Sequence, residues 1–177
     1  TMNVKIEQVN LQNKNHVDNF DRKFTVKEKI ALSMEDGKLT YSIVPVSPYE
    51  KEIPVDEVED VNSFIDNDEK IIFLAFVDNQ LAGQIKMIRW WNGYAYIDDL
   101  IVNPQHRGLG VGKSLIAEAV RWSKEKRFPG IMLETQDDNV SACKLYQSCG
   151  FILGGFDAYT FKNIKPNEIA LFWYLVF

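Results

Sequence analysis

Apolar and polar residues alternate from Val4 to Val9, which predicts a half-buried strand at the start of the chain. The segments 16–24 and 26–34 read as short helices. Tyr41 to Pro54, with three prolines, reads as extended or irregular chain, and the acidic stretch around Val55 to Ile65 has room for another helix. A β-rich middle follows: apolar-rich runs at 71–77, 81–91 and 94–102, separated by turn residues at Asp78-Asn79 and Asn92-Gly93, make two successive hairpins and an antiparallel meander. Beyond it the period changes. Gly112, Leu115, Ile116, Ala119, Val120 and Ser123 recur at three- and four-residue steps, with charges between them, and predict an amphipathic helix that stops before Pro129-Gly130. A short strand at 131–135 comes next. Asn139 then caps a second helix with Ala142, Leu145, Tyr146 and Cys149 inside and Gly150 at its end, and strands at 151–161 and 169–177 finish the chain. This order predicts a mixed sheet flanked by helices, an α/β (α+β) fold.

The length of 177 residues suits a single domain, 1–177, able to bury a core without a disulfide or a structural metal. Thr1 ahead of Met2 reads as an addition to the start and takes no part in the fold reading. No apolar run approaches the roughly 20 residues that span a bilayer, so the expectation is a cytoplasmic protein with no membrane partner. Cys143 and Cys149 fall on different sides of one helix, and His16 and His106 stand apart, so no zinc-type ligand set is expected. The net charge of −5 argues against nucleic acid. The excess is local: residues 48–70 hold nine acids against two lysines, which reads as a solvated acidic face or as a rim that attracts a cationic substrate.

The candidate chemistry begins at Val102-Asn-Pro-Gln-His-Arg-Gly-Leu-Gly-Val-Gly-Lys-Ser114, where a strand stops and three alternate glycines lead into a helix. Glycines let the backbone approach an anion, several amides converge on it, and the positive end of the helix dipole adds attraction. Two better-known glycine loops fail. A nucleotide-type phosphate loop needs glycine where Arg107 stands. The dinucleotide fingerprint needs a third glycine where Lys113 stands, and a parallel βαβ unit where hairpins precede.

At Arg107-Gly-Leu-Gly110-Val-Gly112 the chain resembles the Gcn5-related N-acetyltransferase (GNAT) family, whose signature is Gln or Arg, two residues, Gly, one residue, then Gly or Ala. Asn139, Ala142, Tyr146, Gly150 and Phe151 resemble the family's later motif. Tyr96–Val102, Leu133–Gln136, Asn139–Cys143 and Gly150–Asp157 look like segments of its streptothricin acetyltransferases. The resemblance implies a mostly antiparallel sheet of about seven strands and acetyl-CoA as co-substrate, with no metal. It implies that Arg107, Gly108, Leu109, Gly110, Val111, Gly112, Lys113 and Ser114 hold the pyrophosphate. It further implies that Leu100, Ile101 and Val102 line the pantetheine arm through their backbone, with Asn139, Ala142 and Tyr146 beside the cofactor and the Tyr146 phenol protonating the departing thiolate. The acceptor would be a small cationic amine, the β-lysine moiety of streptothricin. Other readings are a protein lysine or amino terminus, a polyamine, or a non-catalytic acetyl-CoA-binding regulator.

Acyl transfer to an amine needs the amine neutral. An ammonium with pKa ~10.4 is neutral about once in 2,500 molecules at pH 7, a cost of roughly 4.6 kcal/mol without assistance. Asp98 and Asp99 lie adjacent on the strand before the loop. Alternation would aim only one of them at the amine, leaving the other as a structural acceptor. Glu134 and a water relay are the further candidates for the base. Trp90, beside the Asn92-Gly93 turn, would close over the acceptor or pack in the core, as would Trp91. His106 is expected to have no catalytic duty. The cysteines lack a neighbouring histidine in sequence, so direct transfer is expected over an acyl-enzyme. The apolar final strand suits either the middle of a sheet or a homodimer face.

Overall fold

The computed structural model describes residues 2–55 and 60–177 and divides into two compact units. Unit 1 comprises Thr1–Lys23, Glu52–Ile131 and Phe177, and unit 2 comprises Phe24–Lys51 and Met132–Val176. Among the described residues the fold is mixed α/β, with two α-helices, seven mostly antiparallel strands and a separate two-stranded hairpin.

In unit 1, β1 (Val4–Gln8), β4 (Lys70–Val77), β5 (Gln80–Arg89) and β6 (Ala95–Val102) lie side by side in the order β1-β4-β5-β6, each pair antiparallel. The β4–β5 turn has Asp78 and Asn79 both left-handed, at φ 48° and 64°, the twist a two-residue hairpin requires. The meander is therefore where the sequence places it. Helix α1 (Val111–Glu125) packs across these strands, burying Val111, Gly112, Leu115, Ile116, Ala119, Trp122 and Ser123. Trp122 replaces the expected Val120 on the inner face, where it meets Phe128 at 5.3 Å between ring centroids.

In unit 2 the strands run in the order β7 (Gly130–Gln136; its first two residues belong to unit 1), β9 (Ala170–Val176), β8 (Ile152–Asp157). With a neighbour on each side, β9 has a use for its apolar sequence inside the sheet. Helix α2 (Val140–Ser148) buries Val140, Cys143 and Tyr146, so its inner face is rotated from the expected one and Ala142, Leu145 and Cys149 are only half-buried. A buried polar chain crosses this core: the Trp173 indole donates to Thr135 Oγ1 at 3.1 Å, and that hydroxyl lies 3.4 Å from Cys143 Sγ.

The main correction concerns the amino-terminal third. Segment 16–24 is not a helix. Only Lys14–His16 forms a single 3-10 turn, and β2 (Lys23–Glu35) replaces the helix expected at 26–34. It pairs with β3 (Lys38–Glu52) through Asp36 and Gly37, at φ 50° and 75°. The Asp-Gly dipeptide was the available hairpin signal, and it outweighs the helix-like apolar spacing of Val26, Ile30 and Met34. The helix expected around 55–65 lies partly outside the described residues, and among those described the chain forms only a 3-10 turn at Val61–Phe64. The strand expected over 151–161 ends at Asp157.

Candidate functional site

The glycine segment leads from β6 into α1, where its spacing places it. After β6, Pro104–His106 makes one 3-10 turn, and Gly108 and Gly110 then take left-handed φ values of 75° and 85°. A Cβ at either glycine would meet nothing within 4 Å, so the backbone conformation, not crowding, demands glycine, and open space lies in front of the loop. Ser114 is the first residue to close a helical bond, donating its amide to the Gly110 carbonyl at 3.0 Å. The amides of Val111, Gly112 and Lys113 before it are first-turn groups without an intrahelical partner, gathered at the positive end of a 15-residue helix.

Arg107 braces this loop. Its Nε donates to the Val102 carbonyl at 3.0 Å, and both terminal nitrogens donate to the Lys23 carbonyl at 3.2 Å. Burial pushes its pKa down, with Asp21 opposing. The exposed Lys113 is a cation at the mouth, and the Ser114 hydroxyl is turned to the Gly110 carbonyl at 3.1 Å.

Upstream, β6 is interrupted where the two acids sit. Lys86 pairs with Asp99 but Met87 pairs with Ile97, so Asp98 is the extra residue of a β-bulge. Simple alternation of faces fails there, and the two acids differ in another way. Asp98 is exposed, whereas Asp99 is gripped by Arg22 through Nη1–Oδ1 at 2.9 Å and Nη2–Oδ2 at 3.0 Å. Gln84, fully buried on β5, donates to Asp99 at 2.7 Å and to Asp18 at 2.8 Å, and Lys86 holds Asp18 at 2.9 Å. Burial pushes the Asp18 carboxyl up, but the Lys86 ammonium and the Gln84 amide outweigh it and hold its pKa below the ordinary carboxylate value. Leu100, Ile101 and Val102 follow in register with Ile85, Gln84 and Gly83. Trp90 is stacked on Tyr96, with centroids 4.2 Å apart and planes 14° apart, while Trp91 is solvent-exposed.

In unit 2, Asn139 caps α2 by accepting the Ala142 amide at 3.4 Å, as its position predicts. Tyr146, two turns further along, is buried with its ring edge-on to Phe151 at 5.5 Å. Glu134 is half-buried on β7. Cys143 is buried, and burial pushes its thiol to about 11, so at neutral pH it is a protonated, weak nucleophile. A cavity of about 590 Å³ in the same unit is lined by Lys29, Tyr49, Asp138, Lys165, Pro166, Asn167 and Glu168. Asp138 accepts from Tyr49 at 2.8 Å and from Lys51 at 2.7 Å, and Lys51 also reaches Glu168 at 2.6 Å, so the acids at this cavity are matched by lysines.

The loop, Asp98, Asp99 and Trp90 thus belong to unit 1, and Glu134, Asn139, Ala142 and Tyr146 to unit 2. Sequence reasoning missed Arg22, Gln84, Lys86 and Asp18. The glutamine and lysine in the apolar run 81–88 were the available signal, since a buried polar side chain requires a partner. Among the described residues no group of three or more His, Cys, Asp or Glu is placed to hold a metal, and no helix is long and apolar enough to cross a membrane.

Comparison with known proteins gives the family of the chain. Residues 39–151 match the model of the Acetyltransferase (GNAT) family. Streptothricin acetyltransferase A of Bacillus subtilis (strain 168) is 40% identical over 156 residues, 87% of this chain and 89% of that protein. A streptothricin acetyltransferase of Escherichia coli is 40% identical over 154 residues, 85% of this chain and 84% of that protein. Among solved structures, a Bacillus anthracis str. Ames protein assigned as a streptothricin acetyltransferase, crystallised in complex with acetyl coenzyme A, superposes with a TM-score of 0.90 at 39% identity, covering 99% of this chain and 100% of that one.

Proposed function

Since the chain belongs to the GNAT acetyltransferase family, we propose that it moves the acetyl group of acetyl-CoA to a primary amine of streptothricin, the β-lysine moiety, and so detoxifies the antibiotic. The observation that carries this reading is the start of α1, where two left-handed glycines lead into first-turn amides without an intrahelical partner, in a chain 40% identical to Streptothricin acetyltransferase A. In this reading residues 107–114 hold the diphosphate of the donor and the backbone of 100–102 lines its pantetheine arm, with Asn139 and Ala142 on the α2 side. The family match takes in parts of both units, which supports treating residues 1–177 as one catalytic domain.

Acetyl-CoA supplies an activated thioester. The amine nitrogen attacks its carbonyl carbon, a C–N bond forms, the C–S bond breaks, and the thiolate leaves with the electron pair. This chain's part is to take a proton from the ammonium before attack and to return one to the thiolate. Tyr146 is assigned the second task. Asp98, Asp99, Glu134 and an ordered water are the candidates for the first, and Trp90 is assigned to the acceptor side. The protonated state of Cys143 favours direct transfer over an acyl-enzyme. An acetyl-CoA-dependent reaction of this kind belongs in the cytoplasm, and the net charge of −5 suits a cationic acceptor better than nucleic acid.

The test is to incubate the protein with streptothricin and acetyl-CoA and follow free thiol and product mass. The expected result is one acetyl group on the β-lysine moiety with equimolar thiol. Turnover confined to polyamines or protein amino groups would remove the acceptor, and acetyl-CoA binding without thiol release in the presence of any amine would point to a non-catalytic acetyl-CoA-binding regulator.

A further inference from the structure

We propose that Arg22 is a positioning residue for the transfer described above: by pinning Asp99 it fixes the β6 bulge, so that Asp98 is the acid that meets the acceptor amine. The inference rests on the acetyltransferase reading and decides between two of the acids left open there.

Both Asp99 oxygens are engaged, Oδ1 by one arm of the Arg22 fork and Oδ2 by the other arm and by Gln84. The fork is itself fixed. The Arg22 side chain is 4% exposed, its carbonyl accepts the Ile53 amide at 3.1 Å, and the preceding amide of Asp21 donates to Asn103 Oδ1 at 3.2 Å. Around it the charges cancel, with Asp18 and Asp99 against Arg22 and Lys86, and Gln84 joins the two acids. A carboxylate so saturated has little to offer an incoming ammonium, and freeing it would strip both arms of the buried guanidinium fork of their short contacts. The neighbouring Asp98, exposed and carried by the extra residue of the bulge, is aimed by the backbone that Asp99 anchors. Misplacing a reacting group by about an ångström costs on the order of a hundredfold in rate, so the clamp matters to turnover as well as to folding.

The experiment compares steady-state acetylation by the full chain and by Arg22→Ala, Arg22→Lys, Asp99→Asn and Asp98→Asn. Arg22→Ala is expected to lower kcat roughly tenfold or more with the KM for acetyl-CoA little changed. Guanidinium at sub-denaturing concentration should recover part of that kcat, because it refills the site of the lost fork. Arg22→Lys, which keeps the charge but not the planar fork, should fall between the wild type and Arg22→Ala. It carries the test if Arg22→Ala does not fold. Asp98→Asn is expected to lower kcat roughly a hundredfold and to abolish the acid limb of the pH–rate profile. Wild-type kcat in folded Arg22→Ala or Arg22→Lys, loss that guanidinium does not relieve, or wild-type kcat in Asp98→Asn would overturn the proposal. If the wild type turns over another primary amine but not streptothricin, the acceptor assignment fails alone, and the same comparison is read with that amine.

Discussion

The Cβ that Gly83 lacks would stand 2.8 Å from the carbonyl oxygen of Ile101, with Leu115 and Val111 of α1 at 3.2 and 3.3 Å. Strand β5 therefore lets the end of β6 and the start of α1 close over it only because position 83 carries no side chain. Gly83→Ala should destabilise unit 1 by about 1–3 kcal/mol, because a backbone oxygen cannot turn aside as a side chain does. A urea titration measures this as a lower midpoint with an unchanged slope. An unchanged midpoint would mean that the helix sits more loosely on the sheet than described.

Asp18 makes stability depend on pH. Its carboxyl titrates below the ordinary value because Lys86 and Gln84 outweigh the effect of burial. An acid depressed by folding adds stability that is fully present above its unfolded pKa, near 3.9, and is lost as pH falls through the folded value. The urea midpoint should therefore begin to drop as pH falls below about 4 and go on dropping as pH falls through the folded value. Asp18→Asn should flatten part of that drop and lower the midpoint at neutral pH, since Lys86 then loses its charged partner.

Cys143 tests the direct route. With its thiol pushed to about 11 and buried beside Thr135, it should resist alkylation at neutral pH, and Cys143→Ala should keep most of the kcat. Brief iodoacetamide treatment followed by peptide mass analysis reads this. Loss of activity in step with Cys143 modification in the folded protein would instead favour an acyl-enzyme.

Tyr146→Phe preserves the ring that packs edge-on against Phe151 and removes only the hydroxyl. The expected outcome is a kcat lower by roughly tenfold or more, with acetyl-CoA affinity and thermal midpoint near those of the wild type. Unaltered kcat would move the task of protonating the thiolate to another group.

How much of this was legible in the sequence depends on the distance over which each feature is decided. The glycine loop, the Asp78-Asn79 hairpin and the Asn139 cap are set by residues within a few positions of one another, and all three stand where spacing places them. The β2–β3 hairpin was missed although Asp36-Gly37 marks it, because short apolar runs fit helix and strand periods alike. The Arg22–Asp99 clamp joins positions 77 residues apart, and no local pattern assigns an arginine its partner at that range. The bulge at Asp98 was likewise out of reach, since it is a mismatch of register with β5 and not a property of β6 alone.

Calorimetric titration of coenzyme A into the wild type and into Gly110→Asp and Gly110→Ala tests the diphosphate grip most directly. Position 110 is left-handed at φ 85°, so alanine adds backbone strain of about 1–2 kcal/mol, while aspartate adds a like charge at the amides as well. The account predicts saturable binding near one equivalent to the wild type, and at least tenfold weaker binding to Gly110→Asp than to Gly110→Ala. No heat with the wild type, or equal affinity for the two variants, would contradict it.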